Sequence, residues 1–237
     1  MQLSQRLSSV ASMVTAGNCL ADVGTDHGYV PIYLYERKQI SRAIAMDVNK
    51  GPLERAALHI AESGMKQAIE TRLSDGLTKL SAGEAEAMVC AGMGGPLMIK
   101  ILEEGSVQAR AMKELILQPQ SEIAQFRKYL RTHGYHIIKE DMVLEDGKYY
   151  PMMKVIPGAV DAVSESNPKQ QIFDRFGQYL LEHKHPVLKQ YLEHSRDATE
   201  TLMVKLKEQQ GERALARLPE LETMLEQICT ALRYFED

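Results

Sequence analysis

A chain of 237 residues with 25% charged residues and a formal net charge of -4 is long enough to bury one large core, or one medium core with an appendage. That balance gives no global attraction to polyanions, so any nucleic-acid contact has to use local patches. Three cysteines, Cys19, Cys90 and Cys229, are too few for a disulfide framework; Cys19 and Cys90 lie in apolar runs and read as inert core thiols, not metal ligands. With no charged-then-apolar leader and no apolar run of membrane-spanning length, a soluble, cytoplasmic protein without membrane or metal is expected.

The first element is a short amphipathic helix in which Leu3, Leu7, Val10 and Val14 recur at helical spacing before Gly17 and Asn18. It is expected to cap a sheet edge; a role for Arg6 in substrate binding is the alternative. The run Cys19 to Val23 then reads as a buried strand that breaks at Gly24-Thr25-Asp26-His27-Gly28, followed by a helix through Val30, Tyr33 and Leu34. Gly24 and Gly28 let the backbone turn sharply and let a ligand approach the amides at the helix start.

The spacing here is Asp-x-Gly-x-x-x-Gly, not the G-x-G-x-x-G that cradles a pyrophosphate. Asp22 and Asp26 would repel a pyrophosphate but attract a cationic sulfonium or an amino-acid ammonium. This favours S-adenosylmethionine over a dinucleotide. A second strand ends at Asp47, an acid able to accept both ribose hydroxyls.

A helix is expected from Pro52 to Gly64, with Leu53, Ala56, Ala57 and Ile60 inward, then a strand from Ala68 to Leu73 ending in Ser74-Asp75-Gly76. Three successive strands thus end in acids along one rim of a parallel sheet, where open α/β folds bind ligands. Asp75 is placed either to receive an adenine exocyclic amine or to cap a helix. The fourth strand, Ala87 to Ala91, runs into Gly92-Met93-Gly94-Gly95-Pro96, which reads as a ligand-lining loop over a plain tight turn. A fifth strand, Leu115 to Leu117, precedes a helix carrying Ile123, Phe126, Tyr129 and Leu130.

After Gly134 the alternation stops. Tyr135 to Leu144 and Lys148 to Ile156 flank Glu145-Asp146-Gly147, a β-hairpin signal. Five βα units closed by an antiparallel hairpin are similar to the class I methyltransferase plan. Pro157-Gly158 and the polar stretch through Ser164, Ser166, Asn167 and Pro168 read as a linker, dividing the chain into 1–158 and 159–237. Beyond it Leu218, Leu221, Leu225, Ile228, Leu232 and Phe235 form a seam, with Leu188, Leu192, Leu202 and Leu206 on a partner helix and a turn at Gly211. A helical hairpin or small antiparallel coiled coil is expected, packed with one helix through Ile172, Phe176 and Tyr179. Its basic residues, among them Lys184, Lys205 and Arg213, are interspersed with acids, leaving solvated faces, a phosphate-gripping face or a dimerisation coil open.

Leu20-Ala21-Asp22-Val23-Gly24-Thr25-Asp26-His27-Gly28-Tyr29-Val30-Pro31, Ala91-Gly92-Met93-Gly94-Gly95 and the trailing helices together resemble the bacterial tRNA (adenine-N1)-methyltransferases that modify adenine 22 in the D-arm region. The resemblance spans essentially the whole chain. It implies a class I Rossmann-like fold, S-adenosylmethionine as donor, a tRNA acceptor and a C-terminal coiled-coil domain that helps grip the tRNA. A small-molecule or protein methyltransferase with an oligomerising tail is the alternative function. The expected protein is a monomer, with a dimer through the coil as the other arrangement.

Unlike the N6-adenine enzymes, whose fourth strand carries Asn/Asp-Pro-Pro-Tyr/Phe, this chain offers no side-chain acceptor at Gly92-Met93-Gly94-Gly95; ring N1 already carries an in-plane lone pair and needs none. The cofactor set implied is Asp22, Gly24, His27, Gly28, Asp47, Asp75, Gly76, Gly92 and Gly94. Tyr29 and Met93 are candidates for a platform under the exposed base. Asp26 either stabilises the cationic product and accepts a proton from N6, or caps the helix at His27; His27 itself reads as a structural hydrogen-bonding group.

Overall fold

The computed structural model of the protein describes residues 1–160, 167–209 and 216–236. The chain divides into two compact units, Met1–Val163 and Ser164–Asp237. The linker serines Ser164 and Ser166, the turn at Gly211 and Arg213 lie outside the described residues.

In the first unit, α1 (Gln5–Ser12) precedes five parallel strands, of which four are followed by a helix. The elements run β1 (Cys19–Val23), α2 (Tyr29–Glu36), β2 (Arg42–Asp47), α3 (Lys50–Glu62), β3 (Ile69–Leu73), β4 (Ala87–Met93), α4 (Gly95–Glu104), α5 (Ser106–Arg110), β5 (Glu114–Pro119) and α6 (Ile123–Thr132). Strand β3 leads to β4 without a helix, so the expected five βα units are four and a bare strand. The hairpin of β6 (Tyr135–Glu145) and β7 (Lys148–Pro157) follows. The strands form one sheet in the order β3-β2-β1-β4-β5-β7-β6. Strands β1 to β5 are parallel, and β7 slots antiparallel between β5 and β6.

All five residues of β1 are buried, as expected for a central strand covered on both faces. Alternation then sorts the strands into two cores. Ala21, Val23, Met46, Cys90 and Leu117 face Met98 and Leu102 of α4 and Phe126 of α6, whereas Leu20, Ala45, Val89 and Ile116 face Val10 of α1, Leu34 of α2 and Ile60 of α3. The chain winds outward from β1 through β2 to β3, then returns to place β4 on the other side of β1. This reversal opens a crevice beyond the carboxyl ends of β1 and β4. At the hairpin, Asp146 (φ 50°) and Gly147 (φ 72°) both take left-handed conformations, which suits a two-residue turn whose twist matches the flanking strands.

Two expectations are adjusted. The first helix reaches inward from the sheet edge it was expected to cap: α1 packs against the edge strand β6 and also against β5 and α2, with Val10 and Ala11 fully buried. Helix α3 starts at Lys50, not at Pro52, because Asn49 occupies the N-cap position in an extended conformation.

The second unit contains α7 (Pro168–Phe176), α8 (Gln178–Glu182), α9 (Pro186–Gln209), α10 (Leu218–Leu232) and a final 3-10 turn, Arg233–Phe235. The expected single helix through Ile172 and Tyr179 breaks at Gly177, whose φ of 92° no helical residue adopts. Met203 and Leu206 near the end of α9 cluster with Leu221 near the start of α10, and Thr199 meets Met224 one turn further along, so the two helices run antiparallel. Arg175 of α7 donates to Gln227 of α10 at 2.6 Å. Among the described residues, no helix is long and apolar enough to cross a membrane.

Candidate active site

The turn after β1 is tied to its neighbour strand: the amides of Gly24 and Thr25 both donate to the carbonyl of Met46, at 2.8 and 2.9 Å. Gly24 (φ 80°) and Gly28 (φ 69°) are left-handed, and a Cβ on Gly28 would lie 3.4 Å from that of Ala56. Glycine at both positions is therefore a backbone requirement. Beside this turn lies a pocket of about 270 Å³, bounded by the loop, by Asp22, by Val89 and Ala91 of β4, and by Arg6 of α1.

Asp22 is 6% exposed. Burial pushes its carboxyl up to about 6; the adjacent Thr25 hydroxyl pulls the other way, and the charge of Asp47 adds to the rise. A buried carboxylate is costly unless a cation answers it, which makes Asp22 a receptor for positive charge. Burial, with Asp22 close by, pushes the Cys90 thiol up to about 12, consistent with an inert core residue.

On the outer wall, His27, Tyr29 and His59 form a near-parallel group, with ring centroids 4.9, 5.2 and 5.4 Å apart. His59 Nδ1 donates to the His27 carbonyl at 3.0 Å, which fixes α3 against the loop. His27 Nδ1 is buried without a hydrogen-bond partner. Asp26 projects outward, forms an ion pair with Arg55 and lies 3.4 Å from His27 Nε2.

Six of the residues singled out from the sequence, Asp22, Gly24, Asp26, His27, Gly28 and Tyr29, line this one pocket. The others stand at or just past the carboxyl ends of β2, β3 and β4. Asp47 Oδ1 accepts the Asn49 amide at 2.7 Å, leaving its second oxygen uncommitted by that bond. The Asp75 carboxylate lies 3.6 Å from Lys100, while its backbone carbonyl, not its side chain, accepts from Thr78. At Gly76 (φ 54°) a Cβ would lie 3.1 Å from Ile101.

At the end of β4, Met93 reaches back over Gly24, and its sulfur is 3.6 Å from Cys90 Sγ. The three glycines from the end of β4 to the start of α4 have different causes. Gly92 (φ 84°) supplies the turn, and a Cβ there would lie 3.7 Å from Gln120 Nε2 and 3.8 Å from Arg6 Nη1, whereas a Cβ on Gly94 would come within 2.9 Å of Ser121 Oγ and one on Gly95 within 2.7 Å of the Ser121 carbonyl. Close packing against Ser121 accounts for the absence of a side chain at Gly94 and Gly95. Sequence reasoning missed Arg55 and His59 and gave Arg6 the lesser weight. An arginine on an amphipathic helix carries no local mark of where its tip ends up.

The site suits a small cationic group attached to a nucleoside: a buried carboxylate, a left-handed glycine cradle, an orphaned imidazole nitrogen and a second acid at the end of the neighbouring strand. Among the described residues, no group of three His, Cys, Asp or Glu is arranged to hold a metal ion. Strand order and site together define an S-adenosylmethionine-dependent class I methyltransferase. Residues 3–153 match the family described as a methyltransferase domain.

The tRNA (adenine(22)-N(1))-methyltransferase of Bacillus subtilis (strain 168) is 38% identical over 162 residues, covering 68% of this chain and 68% of that protein. The solved structure of B. subtilis TrmK, a tRNA methyltransferase, superposes with a TM-score of 0.82 at 30% identity, covering 98% of this chain and 99% of that one. Streptococcus pneumoniae Sp1610, solved in complex with S-adenosyl-L-methionine, gives a TM-score of 0.82 at 34% identity, with 98% and 100% coverage. The chain belongs to the tRNA (adenine(22)-N(1))-methyltransferase family.

Proposed function

We propose that the protein transfers a methyl group from S-adenosylmethionine to N1 of adenine 22 in the D-arm region of tRNA. The observation that carries this reading is the buried Asp22 carboxylate beside a left-handed glycine turn at the switch point of the sheet. S-adenosylmethionine supplies an electrophilic methyl group on a cationic sulfonium when bound.

The chain's own residues divide the remaining work. Asp22 answers the donor's positive charge, and Asp47 accepts the ribose hydroxyls. Asp75 receives the adenine amine. Gly24, Gly28, Gly76, Gly92 and Gly94 keep the backbone close to the donor, with His27 closing the loop side. Tyr29, backed by His27 and His59, offers a stacking face for the acceptor base, and Met93 an apolar one. Because N1 lies on the Watson-Crick edge, the base has to be exposed first, at a cost of a few kcal/mol.

Methylation at N1 leaves the base positively charged. Asp26 is the carboxylate assigned to stabilise that charge and to accept a proton from N6; its ion pair with Arg55 competes with this role, so substrate binding has to loosen the pair. Once the base is held in line with the methyl group, positioning supplies much of the acceleration. The domain at 159–237, read as a coiled coil, grips the tRNA, and the enzyme acts as a monomer in the cytoplasm. A tRNA transcript with guanine in place of adenine 22 should lose methyl acceptance; retained acceptance would place the target elsewhere.

A further inference from the structure

The second unit carries a pocket of its own, of about 400 Å³, between α7 and α10. That volume falls in the range of small-ligand sites, about 300 to 1,000 Å³. Its apolar lining comes from Pro168 and Ile172 of α7 and from the ring of Tyr234, in the 3-10 turn that follows α10. Phe173 holds that ring edge-to-face, with centroids 6.2 Å apart and planes at 61°, a contact that covers at most one of its faces.

The polar groups around the pocket are uncommitted. Thr199 and Thr201 of α9 and Thr223 of α10 each bond back to the carbonyl four residues earlier, at 2.7, 2.8 and 3.0 Å. Thr230, which lines the pocket, forms no hydrogen bond with a described residue. Arg175 donates to Gln227 Oε1, which leaves both N–H donors of the Gln227 amide without a described partner. The side chain of Glu226 likewise forms no hydrogen bond or ion pair with a described residue. Lys169 lies over the Phe173 ring at 5.2 Å and pairs with no described carboxylate.

This lining discriminates among ligands. A lipid chain would leave an amide, a hydroxyl and a carboxylate without partners, and a phosphate alone would be repelled by Glu226. A flat group that is apolar on its faces and carries donors and acceptors along its edge suits the whole set. One face stacks on Tyr234, its edge acceptors take the Gln227 and Thr230 donors, and its edge donors go to Glu226. Those are the properties of a nucleobase, and the Lys169 ammonium suits a phosphate attached to it.

We propose that the pocket between α7 and α10 takes one unpaired nucleotide of the tRNA, other than the adenine that is methylated, with Tyr234 as its stacking face. An unpaired base fits because its faces and edge are open to protein. This assignment rests on the tRNA reading and gives the helical domain a single-nucleotide contact in addition to a general grip.

The test uses the full chain with Tyr234→Leu, which keeps an apolar contact for Phe173 but no stacking face, and Thr230→Phe, which fills the pocket. Both are expected to raise the Kd and KM for unmodified tRNA about tenfold, the scale of one stacked base, at wild-type affinity for S-adenosylmethionine. Glu226→Ala, at an exposed position, gives a diagnostic sign. Removing a negative charge strengthens non-specific binding to a polyanion, whereas loss of a base contact weakens tRNA binding, by about fivefold here. Transcripts that are each abasic at one unpaired position then identify the nucleotide: at that position the abasic tRNA binds the wild type about tenfold more weakly than intact tRNA, and Tyr234→Leu binds the two alike.

A tRNA Kd within about twofold of wild type in Tyr234→Leu and Thr230→Phe would overturn the proposal, as would a loss in Tyr234→Leu that no single abasic position abolishes. If both variants unfold, Glu226→Ala decides: weaker tRNA binding supports the pocket, and unchanged or tighter binding overturns it. Wild-type protein that forms no 1-methyladenosine in tRNA would defeat the functional reading. Unchanged tRNA affinity in variants of a protein that does methylate tRNA would defeat the pocket alone.

Discussion

The ε-methyl of Met93 lies so close over Gly24 that a Cβ on Gly24 would overlap it. Gly24 also has a φ of 80°, which costs an L side chain roughly 1 kcal/mol. Gly24→Ala is therefore expected to lower both the melting temperature and donor affinity. Adding Met93→Ala removes the overlap but not the backbone strain, so the double variant should recover only part of the loss. Full recovery in a thermal melt would assign the whole effect to Met93.

Asp22 gives opposite signs for stability and binding. Its carboxyl is raised from 3.8 to about 6 by burial, so the ionised form is disfavoured in the fold. The stability of the protein without donor should fall as pH rises from about 4 through about 6, and Asp22→Asn should recover up to roughly 3 kcal/mol at neutral pH. A cationic donor prefers the ionised acid, so wild-type affinity should weaken as pH drops below about 6. Asp22→Asn should bind donor poorly at every pH. Calorimetric titrations across pH, paired with melts, check both halves.

Asp26 and Arg55 are exposed partners, so the pair should add less than about 1 kcal/mol to stability. Asp26→Ala is expected to leave the melting temperature and donor affinity nearly unchanged while cutting kcat strongly. Arg55→Ala frees the carboxylate without removing it and should retain much of the turnover. Equal loss in both variants would show that the ion pair, and not the Asp26 carboxylate, is what turnover needs.

Arg127 of α6 and Glu140 of β6 form a buried pair at 2.8 Å, with side chains 4% and 1% exposed. Removing one partner strands the other charge, at a cost of about 3 kcal/mol or more. Arg127→Met should melt well below wild type, yet keep wild-type donor affinity at temperatures where it stays folded. An unshifted melting curve would contradict this.

Much of this architecture is legible in the chain because its signals are local. Buried strands appear as unbroken apolar runs, Asp146-Gly147 specifies a tight hairpin turn, and Gly24 and Gly28 mark left-handed backbone. Acids placed after successive parallel strands share a rim by topology alone. The remainder depends on contacts between distant residues. Arg6 meets Gln118 across 112 positions and Asp26 meets Arg55 across 29, and neither pairing leaves a trace in spacing or periodicity. The break at Gly177 was hidden because Ile172, Phe176 and Tyr179 keep helical spacing through it.

Incubating the protein with methyl-labelled S-adenosylmethionine and unmodified tRNA, then digesting the tRNA, identifies the labelled nucleoside and its position. Label is expected in 1-methyladenosine at position 22. Label in N6-methyladenosine, in another nucleoside, or in no nucleoside despite demonstrated donor binding would contradict the proposed function.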